Sequence, residues 1–312
     1  MPRRCLLTLL ATAVAATAIP ASASAVVGGR DAAPGELPAV ASVRLGGLFG
    51  CTGTLVAPTW VLTAGHCGSL TGAAVSSPIS WPAAMIEVRL NSITAHEGGG
   101  ERAAVKRAVI PSEYLGLQDG YDVTLLELAA PAGPAPLPIS GPRQTALWAP
   151  GVLETVAGFG VTEEGGDAPD VLQVARIPTI SDAACAEQVS SFSSLTMLCA
   201  GYPQGGIDTC QGDSGGPILG RMPGGELRVV GATSFGDGCA RPNSPGVYAR
   251  VGDATLRAFV ARYAPEAIDA GPMTAAPKKA KRSSKARKKS AKPRSHAPRK
   301  ARKAKQGSRS SR

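Results

Sequence analysis

Between residues 40 and 251 the apolar positions come in short runs of β-type composition, cut apart by clusters of Gly and Pro. Runs at 40–45, 53–57, 60–64, 85–90, 103–110 and 122–128 predict strands. After a proline-rich break at 131–142, further strands are predicted at 154–160, 171–180, 197–201, 216–220, 227–235 and 246–251. Equal numbers on the two sides of the break imply an all-β fold of two units joined by a linker. Helical spacing appears near the end. Asp253 caps a run in which Leu256, Phe259, Val260 and Tyr263 share a face before Pro265 stops it, a helix expected to pack on the second unit. Ser181-Asp182 opens a shorter helix before Cys185.

The two ends of the chain differ from this body. Arg3 and Arg4 precede an apolar run at 5–19 that Pro20 breaks, and Ala23-Ser24-Ala25 has the small-x-small form of a signal-peptidase site. The run is shorter than the ~20 residues a membrane span needs. Residues 1–25 are therefore read as a signal peptide, with the mature chain starting at Val26, or at Ser24 if the cut follows Ala23. The paired arginines leave the export route open. At the other end, 278–312 carries 17 Lys plus Arg and no acid, so the remaining 14 basic residues outside the signal peptide face 23 acids. The net charge of +10 thus hides a body of −9 (14 − 23) and a tail of +17. No large apolar residue follows Met273, so the tail, counted from residue 267, is expected to be disordered. Its charge suits a polyanion such as an envelope polymer, a membrane surface or nucleic acid.

An exported chain with an even number of cysteines points to disulfides rather than metal ligands. Cys51, Cys67, Cys185, Cys199, Cys210 and Cys239 remain after the signal peptide, and the 15 connectivities they allow are not separated by the spacing. The densest chemistry lies in Asp208-Thr-Cys-Gln-Gly-Asp-Ser-Gly-Gly-Pro217. Its glycines free the backbone around one hydroxyl, Ser214, so that main-chain N–H groups can hold a developing oxyanion. A serine needs a base beside it. His96 lies in a Gly-Glu loop and His296 in the tail, whereas His66 follows an apolar strand and adjoins Cys67. Asp122, at the head of the apolar run Asp-Val-Thr-Leu-Leu, is the best orienting carboxylate, because a charge there needs a reason. The plainer readings are a Gly-rich surface turn for the serine stretch and a strand-capping aspartate for Asp122.

Taken together, Val26-Val-Gly-Gly29, Thr63-Ala-Gly-His-Cys67, Asp122-Val-Thr-Leu-Leu126, Ala157-Gly-Phe-Gly160, the serine stretch, Ser234-Phe-Gly236 and Pro245-Gly-Val-Tyr248 resemble the trypsins of the chymotrypsin family of serine proteases. The resemblance implies two six-stranded antiparallel barrels, at 26–135 and 136–266, with a short C-terminal helix and the site between them. It implies Ser214 as nucleophile, His66 as base and Asp122 as orienter, with the N–H groups of Gly212 and Ser214 as oxyanion hole. It pairs Cys51 with Cys67, Cys185 with Cys199, and Cys210 with Cys239. Asp208 falls at the floor of the primary specificity pocket, and Ser234, Gly236 and Gly246 line it, which implies cleavage after Lys or Arg. A free Val26 amine would pair with Asp213 and order the oxyanion hole, leaving no lasting zymogen.

Several positions depart from the pattern. Phe159 and Phe235 stand where the family has tryptophan, and 70–84 reads as an insertion lengthening the His66–Asp122 interval to 56 residues (122 − 66). The family's calcium loop would fall at 91–101, where few carboxylates remain, so no metal or cofactor is expected. The alternatives are a chymotrypsin-type or elastase-type pocket, which Asp208 argues against, and a polyanion-binding protein in which the tail is the functional part. The protein is expected to be a secreted monomer acting on protein or peptide substrates, held at an anionic cell surface if the tail tethers it.

Overall fold

The computed structural model describes residues 26–273 apart from 48, 71–77 and 96–98. The predicted signal peptide, His96, His296, the basic tail and part of the 70–84 insertion lie outside the described residues. In chain order the elements are β1 (Arg30–Asp31), β2 (Val40–Leu45), β3 (Phe49–Ala57), β4 (Trp60–Thr63), α1 (Gly65–Gly68), β5 (Ile86–Leu90), β6 (Glu101–Val109), β7 (Thr124–Leu128), β8 (Leu153–Gly158), β9 (Gln173–Pro178), α2 (Asp182–Gln188), β10 (Met197–Ala200), β11 (Pro217–Arg221), β12 (Leu227–Phe235), β13 (Gly246–Ala249) and α3 (Ala254–Tyr263).

Alternation along the strands explains the first unit. In β5, Ile86, Val88 and Leu90 are buried while Glu87 and Arg89 between them are not, the period of two that sends alternate side chains to opposite faces. β2 pairs with both β3 and β5, so β2-β3-β4-β7-β6-β5 closes into a six-stranded antiparallel barrel with no free edge. Its interior holds Val43, Leu55, Val61, Val88 and Leu126.

The second unit differs from the expected closed barrel. Its ladder is a seven-stranded sheet in the order β1-β9-β8-β11-β12-β13-β10, and the short strand β1 pairs onto the outer side of β9. Between β9 and β10 there is one isolated bridge, Thr179 to Ala200. β9 ends there because Pro178 has no N–H to extend a ladder and the chain turns into α2, whose first turn is capped by Ser181 Oγ accepting from the Ala184 N–H at 3.2 Å.

The expected helix is present as α3, with Asp253 accepting from the Ala254 N–H at 2.7 Å and Leu256 and Val260 fully buried. It does not pack on the second unit alone. Tyr263 lies with its ring 6.4 Å from that of Trp60 on β4, and one core cluster runs from Val56, Trp60 and Leu62 through Ala157 and Phe159 to Val229, Val251 and Val260. Burial of these side chains on a common core is the main term holding the two units together. Packing also continues past the expected start of the tail. Ala267 is buried, Ile268 bridges Ile139, and Asp269 pairs with Arg228 at 2.5 Å.

Candidate active site

The turn after β4 places the base. Ala64 leaves the strand in an extended conformation and α1 makes a single turn, pinned to β3 by the Cys51–Cys67 disulfide. Gly65 is required there. A Cβ would lie 2.9 Å from Asp122 Oδ1 and 3.0 Å from the Tyr114 ring. Nδ1 of His66 consequently reaches within 2.9 Å of Asp122 Oδ2, while the His66 backbone N–H donates to Oδ1 at 2.8 Å. Ser234 Oγ donates to Oδ2 at 2.5 Å.

These contacts set the charges. Burial alone would push the Asp122 carboxyl up, but the charge of His66 and the hydrogen bonds from His66 and Ser234 outweigh it, and the group lies below its ordinary value. Burial likewise works against a charged His66, and the Asp122 carboxylate more than offsets it, so the imidazole is raised. An ionised Asp122 only accepts hydrogen bonds, so Nδ1 of His66 carries the proton and, in the neutral ring, Nε2 is the acceptor.

Ser214 sits in a loop braced by the Cys210–Cys239 disulfide. Gly215 has φ 80°, and a Cβ there would come within 2.1 Å of Thr63 Oγ1 and 2.5 Å of the Ala64 N, so the serine loop and the His66 turn touch backbone to backbone. The N–H groups of Gly212 and Ser214 donate to no backbone carbonyl among the described residues. Thr52 on β3 holds the loop from the other side. Its N–H donates to the Ser214 carbonyl at 2.9 Å, and its Oγ1 donates to the Gly212 carbonyl at 3.0 Å.

His66 and Ser214 line one cavity of about 220 Å³ together with Asp208, Ser234, Gly236 and Gly246. Asp208 is 3% exposed and accepts from the N–H groups of Thr209 at 2.8 Å and Ala240 at 3.1 Å. Burial pushes its carboxyl up to about 6 against those two hydrogen bonds. A Cβ on Gly246 would stand 2.7 Å from Asp208 Oδ1, and one on Gly236 would stand 3.3 Å from the Gly238 carbonyl oxygen. The missing side chains leave the carboxylate reachable from the cavity. Ser234 lines the same cavity and has its hydroxyl turned to Asp122, where it supports the His66–Asp122 pair.

Val26 and Asp213 are both wholly buried. Asp213 accepts from the N–H groups of Cys210 at 2.8 Å and Gly160 at 2.9 Å, and burial pushes its carboxyl up to about 7. Val26 holds φ 62°, a left-handed conformation that a β-branched residue adopts only under constraint. The disulfides join Cys51 to Cys67, Cys185 to Cys199 and Cys210 to Cys239.

Sequence reasoning did not single out Thr52 or Tyr114. A threonine beside Cys51 and a tyrosine ahead of Asp122 carry no local signal, and only the fold brings them to the site.

The family model described as Trypsin matches residues 26–257. The chain is 40% identical over 228 residues to a trypsin of Saccharopolyspora erythraea, covering 73% of this chain and 93% of that protein. It is 36% identical to mouse serine protease 56 and 38% identical to rat transmembrane protease serine 9, over 81% and 74% of this chain. Those two proteins are much longer, and the match covers 40% and 21% of them.

Proposed function

The chain belongs to the trypsin family and is a serine-type endopeptidase, and from that premise we propose that it cleaves after Lys or Arg through a Ser214–His66–Asp122 triad. The observation that carries the specificity is Asp208, a buried carboxylate at one cavity with Ser214 and with no cation bonded to it among the described residues. A Lys or Arg side chain entering the cavity supplies that cation. In the reaction His66 takes the Ser214 proton as Oγ attacks the scissile carbonyl. The oxyanion is received by the Gly212 and Ser214 N–H groups, and His66 passes the proton to the leaving amine. Water then hydrolyses the acyl-enzyme by the same route in reverse. Paired lysyl, arginyl and phenylalanyl esters test the reading. Efficient cleavage of the first two and slow cleavage of the third is expected, and preference for phenylalanyl would overturn it in favour of a chymotrypsin-type pocket.

The halves 26–135 and 136–266 each supply part of this machinery, His66 and Asp122 from the first and Ser214 and Asp208 from the second. Secretion follows from the signal-peptide reading of 1–25. No helix among the described residues is long and apolar enough to cross a membrane. The basic tail adds retention at an anionic surface, which would weaken steeply as salt rises.

Activation rests on Val26. Signal-peptide cleavage after Ala25 turns its amide into a free amine that can pair with the buried Asp213, whose carboxyl is held up to about 7 while it has only N–H partners. An exposed α-amine titrates at about 7.7 to 8.0, and pairing with Asp213 raises it. The active form is therefore fully favoured below the ordinary value and lost as pH rises through the raised one. Amino-terminal sequencing of the secreted active enzyme is expected to begin at Val26. A start at Ser24 with full activity would show that the buried amine is not needed.

A further inference from the structure

We propose that Thr52 is a positioning residue for the oxyanion hole, its hydroxyl on β3 locking the Gly212 peptide so that both donors stay aimed at the reacting carbonyl. The proposal rests on the triad, hole and Lys/Arg pocket argued above and assigns a residue to their support.

Donors stabilise a transition-state charge to the extent that they need not reorganise when it forms. Gly212 does not supply that rigidity by itself. It has φ 96° and no Cβ, so side-chain sterics do not confine it. The two peptides that meet there must be held from outside.

In a trans peptide the C=O and N–H point in opposite directions, so a bond to one aims the other. The Gln211 carbonyl accepts from the Val161 N–H at 2.7 Å, which turns the Gly212 N–H the other way. The Asp213 carbonyl accepts from the Gly216 N–H at 2.7 Å and aims the Ser214 N–H in the same manner. Between them lies the Gly212–Asp213 peptide, whose setting decides how the two donors stand to each other. Its N–H donates to the Cys210 carbonyl at 3.0 Å, and its carbonyl receives the Thr52 hydroxyl at 3.0 Å.

A hydroxyl suits this task because it has one proton to give and lone pairs that accept. Thr52 Oγ1 donates to the Gly212 carbonyl and accepts from the Phe159 N–H at 3.1 Å, so its direction is fixed. Phe159, Gly160 and Val161 thus aim successive N–H groups at Thr52 Oγ1, Asp213 Oδ1 and the Gln211 carbonyl. Thr52 is itself anchored. It is fully buried, its carbonyl accepts from Thr63 Oγ1 at 2.8 Å, and its N–H donates to the Ser214 carbonyl at 2.9 Å. Cys51 beside it is joined to Cys67, which adjoins His66. One crosslink therefore ties the residue that holds the donors to the turn that carries the base.

Thr52→Val keeps the shape and the backbone N–H to Ser214 but leaves the Gly212 carbonyl and the Phe159 N–H without this partner, and rotation about Gly212 relieves them by misaiming the hole. Thr52→Ser keeps the hydroxyl. The test compares both with wild type on an arginyl anilide, with melting curves for each. It adds a peptidyl arginine aldehyde, whose adduct with Ser214 puts an oxyanion in the hole, and benzamidine, a cation that fills the Asp208 pocket without one. Removing a donor outright costs about a hundredfold to a thousandfold, so Thr52→Val should lower kcat by about tenfold to a hundredfold, with KM and benzamidine affinity within about twofold of wild type. Aldehyde affinity should fall by the same factor as kcat, since the adduct resembles the transition state, and Thr52→Ser should recover both to within about threefold. Should the valine variant not fold, Thr52→Ala carries the same comparison. Wild-type kcat in Thr52→Val, a KM and benzamidine affinity that worsen along with kcat, or a Thr52→Ser enzyme no better than Thr52→Val overturns the proposal and leaves the specificity standing. A wild-type enzyme that neither cleaves the anilide nor binds benzamidine brings down the Lys/Arg reading, and the proposal with it.

Discussion

Ser214→Ala and His66→Ala are each expected to lower kcat for an arginyl ester by about 10⁶-fold, and the double variant by no more than either alone. In the proposed triad the two residues act as one unit. Without the hydroxyl there is no acyl-enzyme, and without the imidazole nothing takes the proton. Asp122→Asn should cost about 10⁴-fold for a different reason. The Asp122 carboxylate is bonded to Nδ1, to the His66 N–H and to Ser234 Oγ, so it requires a proton on Nδ1 and leaves Nε2 open. An asparagine amide turned towards Nδ1 donates instead, which moves the ring proton to Nε2 where the base is needed. Ser234→Ala removes one hydrogen bond to a charged group, typically about 1.5 to 3 kcal/mol, and should lower kcat by about tenfold to a hundredfold while KM stays. Burst kinetics with an arginyl ester, and melting curves to show each variant folded, make the comparison. A Ser214→Ala variant that keeps a measurable burst would mean another nucleophile does the work.

The ordering of these effects mirrors what the chain discloses before it folds. His66, Asp122 and Ser214 could be picked out because each breaks a local expectation. A histidine ends an apolar strand beside a cysteine, a charge heads an apolar run, and a serine is set among glycines. Ser234 and Thr52 break none, since a hydroxyl in a strand is ordinary, and their partners lie 112 and 160 residues away in sequence. The strands were legible because alternation is a local property, as in β5. Sheet closure was not. It depends on where a ladder stops, and Pro178 ends β9 two residues short of the predicted 171–180 run. The left-handed Val26 and the pairing of the two-residue β1 with β9 likewise follow from where the chain is anchored, which apolar periodicity does not report.

Asp208→Ser is expected to remove the preference for arginyl over phenylalanyl substrates by about a hundredfold to several thousandfold. Leaving a buried charge without its partner costs about 3 to 5 kcal/mol, and each 1.36 kcal/mol is about tenfold in rate. The pH dependence separates this group from the base. Protonation of His66 slows every substrate alike as pH falls through its raised value. Asp208 titrates at about 6 in the empty pocket because burial disfavours its charge. Only the ionised form attracts a guanidinium, so the ratio of kcat/KM for arginyl over phenylalanyl substrates should fall as pH drops through that value. Between pH 7 and pH 5 the ionised fraction of such a group falls about tenfold, and the ratio with it. In Asp208→Ser the ratio should be small and flat across the same range. Taking the ratio cancels the His66 limb and any common effect of the Val26–Asp213 pair, so a wild-type ratio independent of pH, or a variant that keeps full arginyl preference, would place the specificity charge somewhere other than Asp208.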